Sequence, residues 1–512
     1  MILIFPPLGK PCEPPAGVAL LAGALKQNGC ACTAIDANID GLLWLARHGR
    51  QRPGDSWTRR ALSHFDDNIK DLKNPDLYAN NGRYRQRVMD VNRVISVSCS
   101  PRFRLSLSDY VDSELSPVKS EDLLASARNF KDNPFYGYFK SALAPEIEKS
   151  SSVHVGISIC YLNQALVGFA LAGWIKATFP GKKIILGGGL ISSWMSAPGW
   201  KNPFFPLIDT MIRGRGEDAV VAMAQGKSWD EKPHPCHRVV PDFEFCNWER
   251  YLAPGAVIPY RTAIGCYWRK CRFCPETVEG ALYQPQKNKD LVDDLTRLKQ
   301  QVNGSHVHFL DDAVSPSFLR TLAGRSMPFT WYGFVRFTRD LADPAFCRAL
   351  YQSGCRMLKL GLESGDPHVL EQMNKGTDLA MAARVLSCLK KAGIATYVYL
   401  LFGTAFEDEA AAHRTLRYVV DNSDNISFLN LAIFNLPRFS SEVPLLETHD
   451  FYAGDLSLYL GFNHPLGWNR RQIRIFLDKK FKKHPAIAPI LRNDPPFFTS
   501  NHAMFIKPPK SE

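Results

Sequence analysis

With 512 residues the chain is too long for one hydrophobic core, so two or three domains are expected. Hydrophobic and charged fractions of 45% and 22% are those of an ordinary globular protein, and no apolar run reaches membrane-spanning length. The net charge of +12 raises a nucleic-acid partner, but the positive charge is spread along the chain. Its one dense run, Lys479-Lys480-Phe-Lys482-Lys483, reads as a solvated helix face, so nucleic acid is set aside as a partner. Thirteen cysteines, odd in number and mostly scattered, fit reduced thiols. The opening Met-Ile-Leu-Ile-Phe-Pro-Pro reads as a strand and not as a signal peptide, so a cytoplasmic protein with no membrane partner is expected.

The first elements in chain order are a strand at Ile2–Phe5, a helix over 16–27 and a strand over 32–35. Residues 42 to about 150 are polar and break this rhythm. They read as a helical insertion, with one helix over 120–130. Alternation resumes with a strand at 153–159, a helix at 163–178, and strands at 183–186 and 207–212. The last two run into Gly187-Gly188-Gly189 and Gly214-Arg-Gly216-Glu217. Such alternation implies a doubly wound parallel sheet, whose ligands bind at the carboxyl ends of the strands.

A Pro- and His-rich linker follows at 231–255. Its His234, Cys236 and His237 are weak metal candidates. Six further strands are expected at 257–264, 306–310, 330–334, 357–362, 396–401 and 427–434, separated by helices. Six βα units over 256–440 make a partial TIM-type barrel with its site at the carboxyl ends of the strands. Residues 441–512, rich in aromatic residues and proline, are expected to pack across it. Pro495-Pro496-Phe497-Phe498 and His502 are candidates for shaping a substrate pocket.

The chemistry concentrates at those strand ends. Cys266, Cys271 and Cys274 share one loop after the first strand of this half. Three close thiolates can hold three corners of an iron–sulfur cluster and leave one iron open. A structural zinc site would use the same thiolates but needs a fourth protein ligand. The nearest are His234, Cys236, His237 and Cys246, all before the strand. After the second strand come Asp311 and Asp312, either ligands for an amino group or caps of a helix near Ser315. Arg336 ends the third strand, placed to bind a carboxylate or to pair with Asp340. The fourth ends in Gly361-Leu-Glu363-Ser364-Gly365, trailed by Met373-Asn374-Lys375-Gly376, and the fifth in Gly403-Thr404-Ala-Phe-Glu407.

The cysteine loop, with the aromatic Phe273 before its last cysteine, resembles the cluster motif of radical S-adenosylmethionine enzymes. It differs in having four residues between the first two cysteines where most members have three. The Gly-Leu-Glu-Ser-Gly string and the Gly403 turn resemble the same family's strand ends, in the same order. The first 230 residues, minus the insertion, resemble the cobalamin-binding domain that precedes the barrel in many such enzymes. The pieces are Pro6-Pro7-Leu8-Gly9, Val155-Gly156-Ile157-Ser158, Leu186 to Gly189 and Arg213 to Glu217.

The resemblance implies a [4Fe-4S] cluster on Cys266, Cys271 and Cys274, and S-adenosylmethionine held by Phe273, Asp311, Asp312, Glu363, Ser364 and Gly403. It further implies cobalamin against Ser158, Gly187, Gly188 and Gly189, with Glu363 and Arg336 as catalytic candidates. The implied reaction starts from a 5′-deoxyadenosyl radical, with cobalamin-dependent methyl transfer to an unactivated centre favoured. The substrate would be a small molecule or peptide, and the electron donor a flavodoxin or ferredoxin. Radical cyclisation, rearrangement or oxidation remains the alternative, and a cobalamin sensor with a vestigial barrel is the rival of another class. The cobalt-ligating string Asp-x-His-x-x-Gly has its only counterpart at Asp36 to Gly41, with Asn38 in place of His.

Overall fold

The computed structural model describes residues 1–49, 54–229, 238–280, 282–302, 306–495 and 502–506. His234, Cys236, His237 and Pro496-Phe497-Phe498 lie outside the described residues. Two compact units divide the chain. One is Met1–Ala256 with Tyr452–Leu458; the other is Val257–Phe451 with Tyr459–Pro495.

The first unit is built on five parallel strands, β1 (Ile2–Phe5), β2 (Thr33–Asp36), β3 (His154–Ser158), β4 (Lys183–Gly187) and β5 (Thr210–Met211). Their order is β2-β1-β3-β4-β5, so the winding reverses between β1 and β3. β1 is buried along its whole length and β3 over all but its first residue, as strands inside a two-faced parallel sheet must be. The last strand is shorter than the 207–212 expected. Asp209 turns its carboxylate back to accept from Lys176 and from the Ile184 N–H. The insertion is mainly helical, with a long helix at Asn81–Val97, and carries a hairpin of Phe103–Leu105 with Tyr110–Asp112 that its polar sequence did not announce.

The second unit carries six parallel strands, β6 (Val257–Tyr260), β7 (His306–Phe309), β8 (Thr330–Val335), β9 (Cys355–Glu363), β10 (Ala395–Phe402) and β11 (Phe428–Ile433). They lie in strict sequence order from β6 to β11. The whole chain is therefore α/β with parallel sheets. The strand expected over 257–264 is broken. Asp311 accepts from the Thr262 N–H, the Thr262 hydroxyl (2.7 Å) and the Ala263 N–H (2.8 Å), and only Ala263–Ile264 resumes, pairing with Gln284–Pro285.

Residues after β11 form a small antiparallel sheet of Leu436–Pro437, Thr448–Asp450 and Tyr459–Phe462, then a helix at Arg470–Phe476. His502 is buried against Tyr397, with ring centroids 4.2 Å apart. Among the described residues no helix is long and apolar enough to cross a membrane.

Candidate functional site

The cysteine loop leaves β6 through the Asp311 brace and ends where Cys274 caps the short helix Pro275–Glu279. Cys271 is buried; Cys266 and Cys274 are half-buried. The residue that makes the first spacing long bulges outward. Arg269 is exposed and sits in the left-handed region with φ 50°. The loop is bound to the turn after β9. Its Arg272 N–H donates to Met373 O at 3.1 Å, and Trp268 Nε1 donates to Asn374 O at 3.1 Å. Gly376, at φ 66°, must be glycine because a Cβ there would collide with the Trp268 ring.

Two cations lie against the buried thiol. Arg336 Nη1 is 3.8 Å from Cys271 Sγ, its Nη2 donates to Lys375 O, and its guanidinium stacks on Trp268 at 4.2 Å. Asp340, the partner considered for Arg336, pairs with Arg320 instead at 2.7 Å. Lys375 Nζ donates to Glu363 Oε1 at 2.7 Å, with both side chains close to fully buried, and lies 5.5 Å over the Phe273 ring. A Cβ on Gly361 would meet Glu363 Oε1 at 2.5 Å and Lys375 Nζ at 2.7 Å, so this glycine makes room for the pair. Burial pushes the Cys271 thiol up; Lys375 first and Arg336 next pull the other way. Cys274 is pushed up to about 11, again by burial first.

The non-glycine residues with left-handed backbone among those described are Arg269, Glu363 and Asn374. One lies in the cysteine loop, one is the ion-pair carboxylate and one lies in the turn that anchors the loop. Unfavourable backbone is kept only where surrounding contacts over-determine it, and it concentrates at functional sites.

The other expected ligands fare differently. Phe273 packs with Val369, Met373, Ala411 and Leu401. Asp311 is fully engaged as the brace, so it is not an open ligand, while Asp312 beside it is exposed. Neither caps the next helix, since Ser315 does that itself by accepting from the Phe318 N–H. Ser364 is fully buried. Its hydroxyl bonds to Thr415 (3.1 Å) and accepts from the Asp366 N–H (3.1 Å), so it fixes the turn and presents no free face.

Gly403, at φ 82°, donates its N–H to Glu407. The Glu407 Oε1 and Thr404 Oγ1 atoms are buried without a hydrogen-bond partner among the described residues. A segment of the 441–512 tail, whose individual residues the sequence did not single out, lies over these strand ends. His464 Nε2 bonds Thr404 O at 2.9 Å, Trp468 Nε1 donates to Glu407 Oε2 at 3.2 Å, and Arg470 donates to Phe434 O at 2.8 Å. The density of aromatic residues after 440 was the available signal, without a register to place it. Trp268 and Lys375 were also unassigned, though both stand inside the quoted motifs.

In the first unit, Ser158, Gly187, Gly188 and Gly189 come together at the carboxyl ends of β3 and β4. Ser158 is in register with Gly187, and the Ile159 N–H donates to Gly187 O at 2.8 Å. Gly188, at φ 106°, lets the two loops close, because its Cβ would stand 2.5 Å from Ile159 O. Tyr161 is exposed beside Gly9 in the neighbouring loop. Asn38 is buried, with its Oδ1 accepting from the Gly9 N–H at 2.9 Å.

The donor sets fit the implied groups. Among the described residues no three His, Cys, Asp or Glu are arranged to hold a metal ion. A cubane asks for something else, since its thiolates sit on separate corners, apart from one another. One loop carries three such thiols, and Arg336 and Lys375 beside Cys271 would offset the charge of thiolate ligation. The orphaned polar atoms at Thr404 and Glu407 fit a polar ligand group at the same strand ends.

No family model matches the chain. Bacteriochlorophyllide d C-12(1)-methyltransferase of Chlorobaculum tepidum is 30% identical over 192 residues, which cover 36% of this chain and 41% of that protein. An uncharacterized methyltransferase of Pyrococcus horikoshii is 21% identical over 233 residues, 42% of this chain and 50% of that one. The chain thus spans half or less of the length of these curated relatives. Among solved structures, the radical S-adenosylmethionine methyltransferase TsrM of Kitasatospora setae, with cobalamin and a [4Fe-4S] cluster bound, superposes with a TM-score of 0.51 at 14% identity. The match covers 86% of this chain and 76% of TsrM. The fold resembles that of TsrM, in line with the resemblance read from the cysteine loop and strand ends.

Proposed function

We propose that the protein is a radical S-adenosylmethionine enzyme that binds cobalamin and transfers a methyl group to an unactivated centre of a small-molecule or peptide substrate. In this reading the sequential six-stranded sheet is a partial (β/α)6 barrel over 256–440. The first 230 residues form a doubly wound, Rossmann-like cobalamin domain, 231–255 links the two, and 441–512 follows the barrel. The observation that carries the reading is the coincidence of three strained non-glycine residues, a buried Glu363–Lys375 pair and a three-thiol loop at one end of a parallel sheet.

When bound, the cluster and S-adenosylmethionine supply a 5′-deoxyadenosyl radical, and cobalamin supplies the methyl carrier. The chain's own residues do the rest. Cys266, Cys271 and Cys274 ligate the cluster. Arg336 and Lys375 offset its negative charge beside Cys271. Lys375 holds the Glu363 carboxylate at the end of β9, where it would accept hydrogen bonds from the amino or ribose groups of S-adenosylmethionine. The Gly403 turn takes the adenine, with Thr404 and Glu407 as its polar contacts. The segment from His464 to Arg470 covers these strand ends and helps exclude water.

The test is anaerobic reconstitution with iron, sulfide and hydroxocobalamin. About four irons and one cobalamin per chain are expected, with 5′-deoxyadenosine formed on adding dithionite and S-adenosylmethionine. A Cys266/Cys271/Cys274→Ala triple variant that still holds four irons would sink the cluster assignment. Failure to retain cobalamin would remove the methyl-transfer reading.

A further inference from the structure

We propose that Lys359 selects the substrate: its buried ammonium receives a carboxylate carried on a flat, apolar body. The inference deepens the function proposed above and rests on it, because Lys359 lies on the same strand as Glu363.

The strands of the second unit turn alternate residues to two faces. Phe309 and Phe402 pack on helices, against Phe318 and Phe476. The opposite face carries His308, Tyr332, Phe334, Lys359, Tyr397 and Tyr399. Phe334, Lys359, Tyr397 and Phe428 are in register across β8 to β11, and Gly361, Tyr399 and Asn430 form the next row toward the carboxyl ends. On the other side of the lower row, His502 packs on Tyr397 and Phe428, with ring centroids 4.2 and 5.0 Å apart. In the upper row Gly361, Tyr399 and Asn430 are half-buried, as is Phe334 below them. This face is therefore filled at its lower end and more open toward Glu363.

Two lysines are buried among the described residues, Lys375 with 7% exposure and Lys359 with 2%. Lys375 has a carboxylate, Glu363, at 2.7 Å. Lys359 meets an imidazole and two rings. Its Nζ lies 3.0 Å from His308 Nε2, 5.4 Å over Tyr332 and 5.0 Å over Phe334. His308 is itself buried and stacks on Tyr332 at 4.6 Å. To accept from the ammonium its Nε2 must be bare, so His308 is neutral with its proton on Nδ1. These contacts orient a cation without neutralising it. Asp494, the acid that senses Tyr397 and Tyr399, lies 4.0 Å from His502 Nε2.

Burying an ammonium is costly, and methionine would fill a similar space without that cost. Keeping the charge makes sense if a ligand uses it. A carboxylate is a stronger partner for an ammonium than a neutral imidazole is, so an entering acid can displace the His308 contact. The walls decide the rest of the ligand. The rings of Phe334 and Tyr399 stand 4.9 Å apart at 59°, and Gly361, on the strand between theirs, adds no side chain. Burial first, and Tyr397 next, push the Tyr399 phenol up, so it stays a neutral donor beside the incoming acid. Two aromatic walls next to a cation fit a flat ring system that enters acid first.

The test is equilibrium dialysis of the reconstituted protein against benzoate, naphthoate and indoleacetate, and against the alcohol corresponding to each acid. Wild type should bind at least one acid about tenfold or more tighter than its alcohol. Lys359→Met should bring that acid to the affinity of the alcohol and leave the alcohol unchanged. Lys359→Arg, which keeps the charge, should keep the preference for the acid. Iron content should stay at wild-type level in both variants. If Lys359→Met does not fold, Lys359→Gln decides by the same comparison. An acid preference that survives in a folded, iron-replete neutral variant overturns the proposal. So does the absence of saturable binding of every acid by wild type. Wild type that makes no 5′-deoxyadenosine even with dithionite overturns the proposed function instead, and the dialysis still reads Lys359.

Discussion

Replacing Lys375 by Met tests how the site is held together. Methionine keeps most of the unbranched apolar stem and removes the charge. The ammonium it removes lies 2.7 Å from Glu363 Oε1, and the two side chains are only 8% and 12% exposed. Glu363 would then be left charged, buried and without its cation, which costs about 3–5 kcal/mol. For a unit of this size that lowers the unfolding temperature by roughly 10 °C. Removing both charges together, as Glu363→Gln/Lys375→Met, leaves no uncompensated ion. The double variant should therefore recover about 2–3 kcal/mol relative to the sum of the single changes. Urea unfolding of the four proteins of this cycle measures the coupling. Additive single effects, or a Lys375→Met protein within about 0.5 kcal/mol of wild type, would refute the account of the pair. The same cycle has a functional arm. Glu363→Gln should weaken S-adenosylmethionine binding in anaerobic titration while iron content is kept. Lys375→Met should also lower iron content, because Lys375 is the largest influence holding the Cys271 thiol down against burial.

Three further outcomes are expected. Gly376→Ala forces a side chain into left-handed backbone and into Trp268, so stability should fall by about 2–4 kcal/mol and reconstituted iron with it; unchanged iron loading would show that Trp268 does not anchor the loop. Glu407 is raised from its ordinary 4.5 to about 8, by burial first, so the folded state keeps a proton that the unfolded state releases. Stability is then full below about pH 4.5 and drains away as pH rises to 8, and Glu407→Gln should flatten that slope in unfolding curves taken across the window. Bound cob(II)alamin should show no nitrogen splitting from a protein imidazole in electron paramagnetic resonance, because Asn38 stands where the ligating His would and its amide is committed to Gly9; a split signal would overturn this.

Most strands of both units were legible because parallel strands buried on two faces are short apolar runs, and those runs stand out between polar helices. β1, for example, is buried at every position and was read to the residue. What a local pattern cannot carry is a decision made by a distant side chain. Thr262 looks like strand interior, and the strand stops there because a carboxylate 49 residues later takes its N–H and hydroxyl. Asp311 was consequently read as a ligand when it is a brace. Ser364 was misjudged for the same reason, since Thr415, 51 residues on, claims its hydroxyl. Arg336 was singled out from its place at a strand end, but its neighbours Trp268, Cys271 and Lys375 come from two other strand ends.

The glycines tell a related story from the opposite side. Gly361 and Gly376 could be read as turn residues of a strand-to-helix connection, and Gly376 does have left-handed backbone. Their more specific function is steric. One leaves space for a carboxylate and an ammonium, the other for the indole of Trp268 in the cysteine loop. The register of β9 against β10 also shifts between Gly361 and Glu363, which turns Glu363 into its left-handed conformation just as the strand ends. A fold indifferent to Glu363 would relax that shift by placing glycine there. Retaining a charged residue at φ 68° makes sense if its carboxylate has to point at something, and the Lys375 ammonium beneath it fixes the direction. The strain and the ion pair are thus two halves of one device, and the Lys375→Met cycle probes both at once.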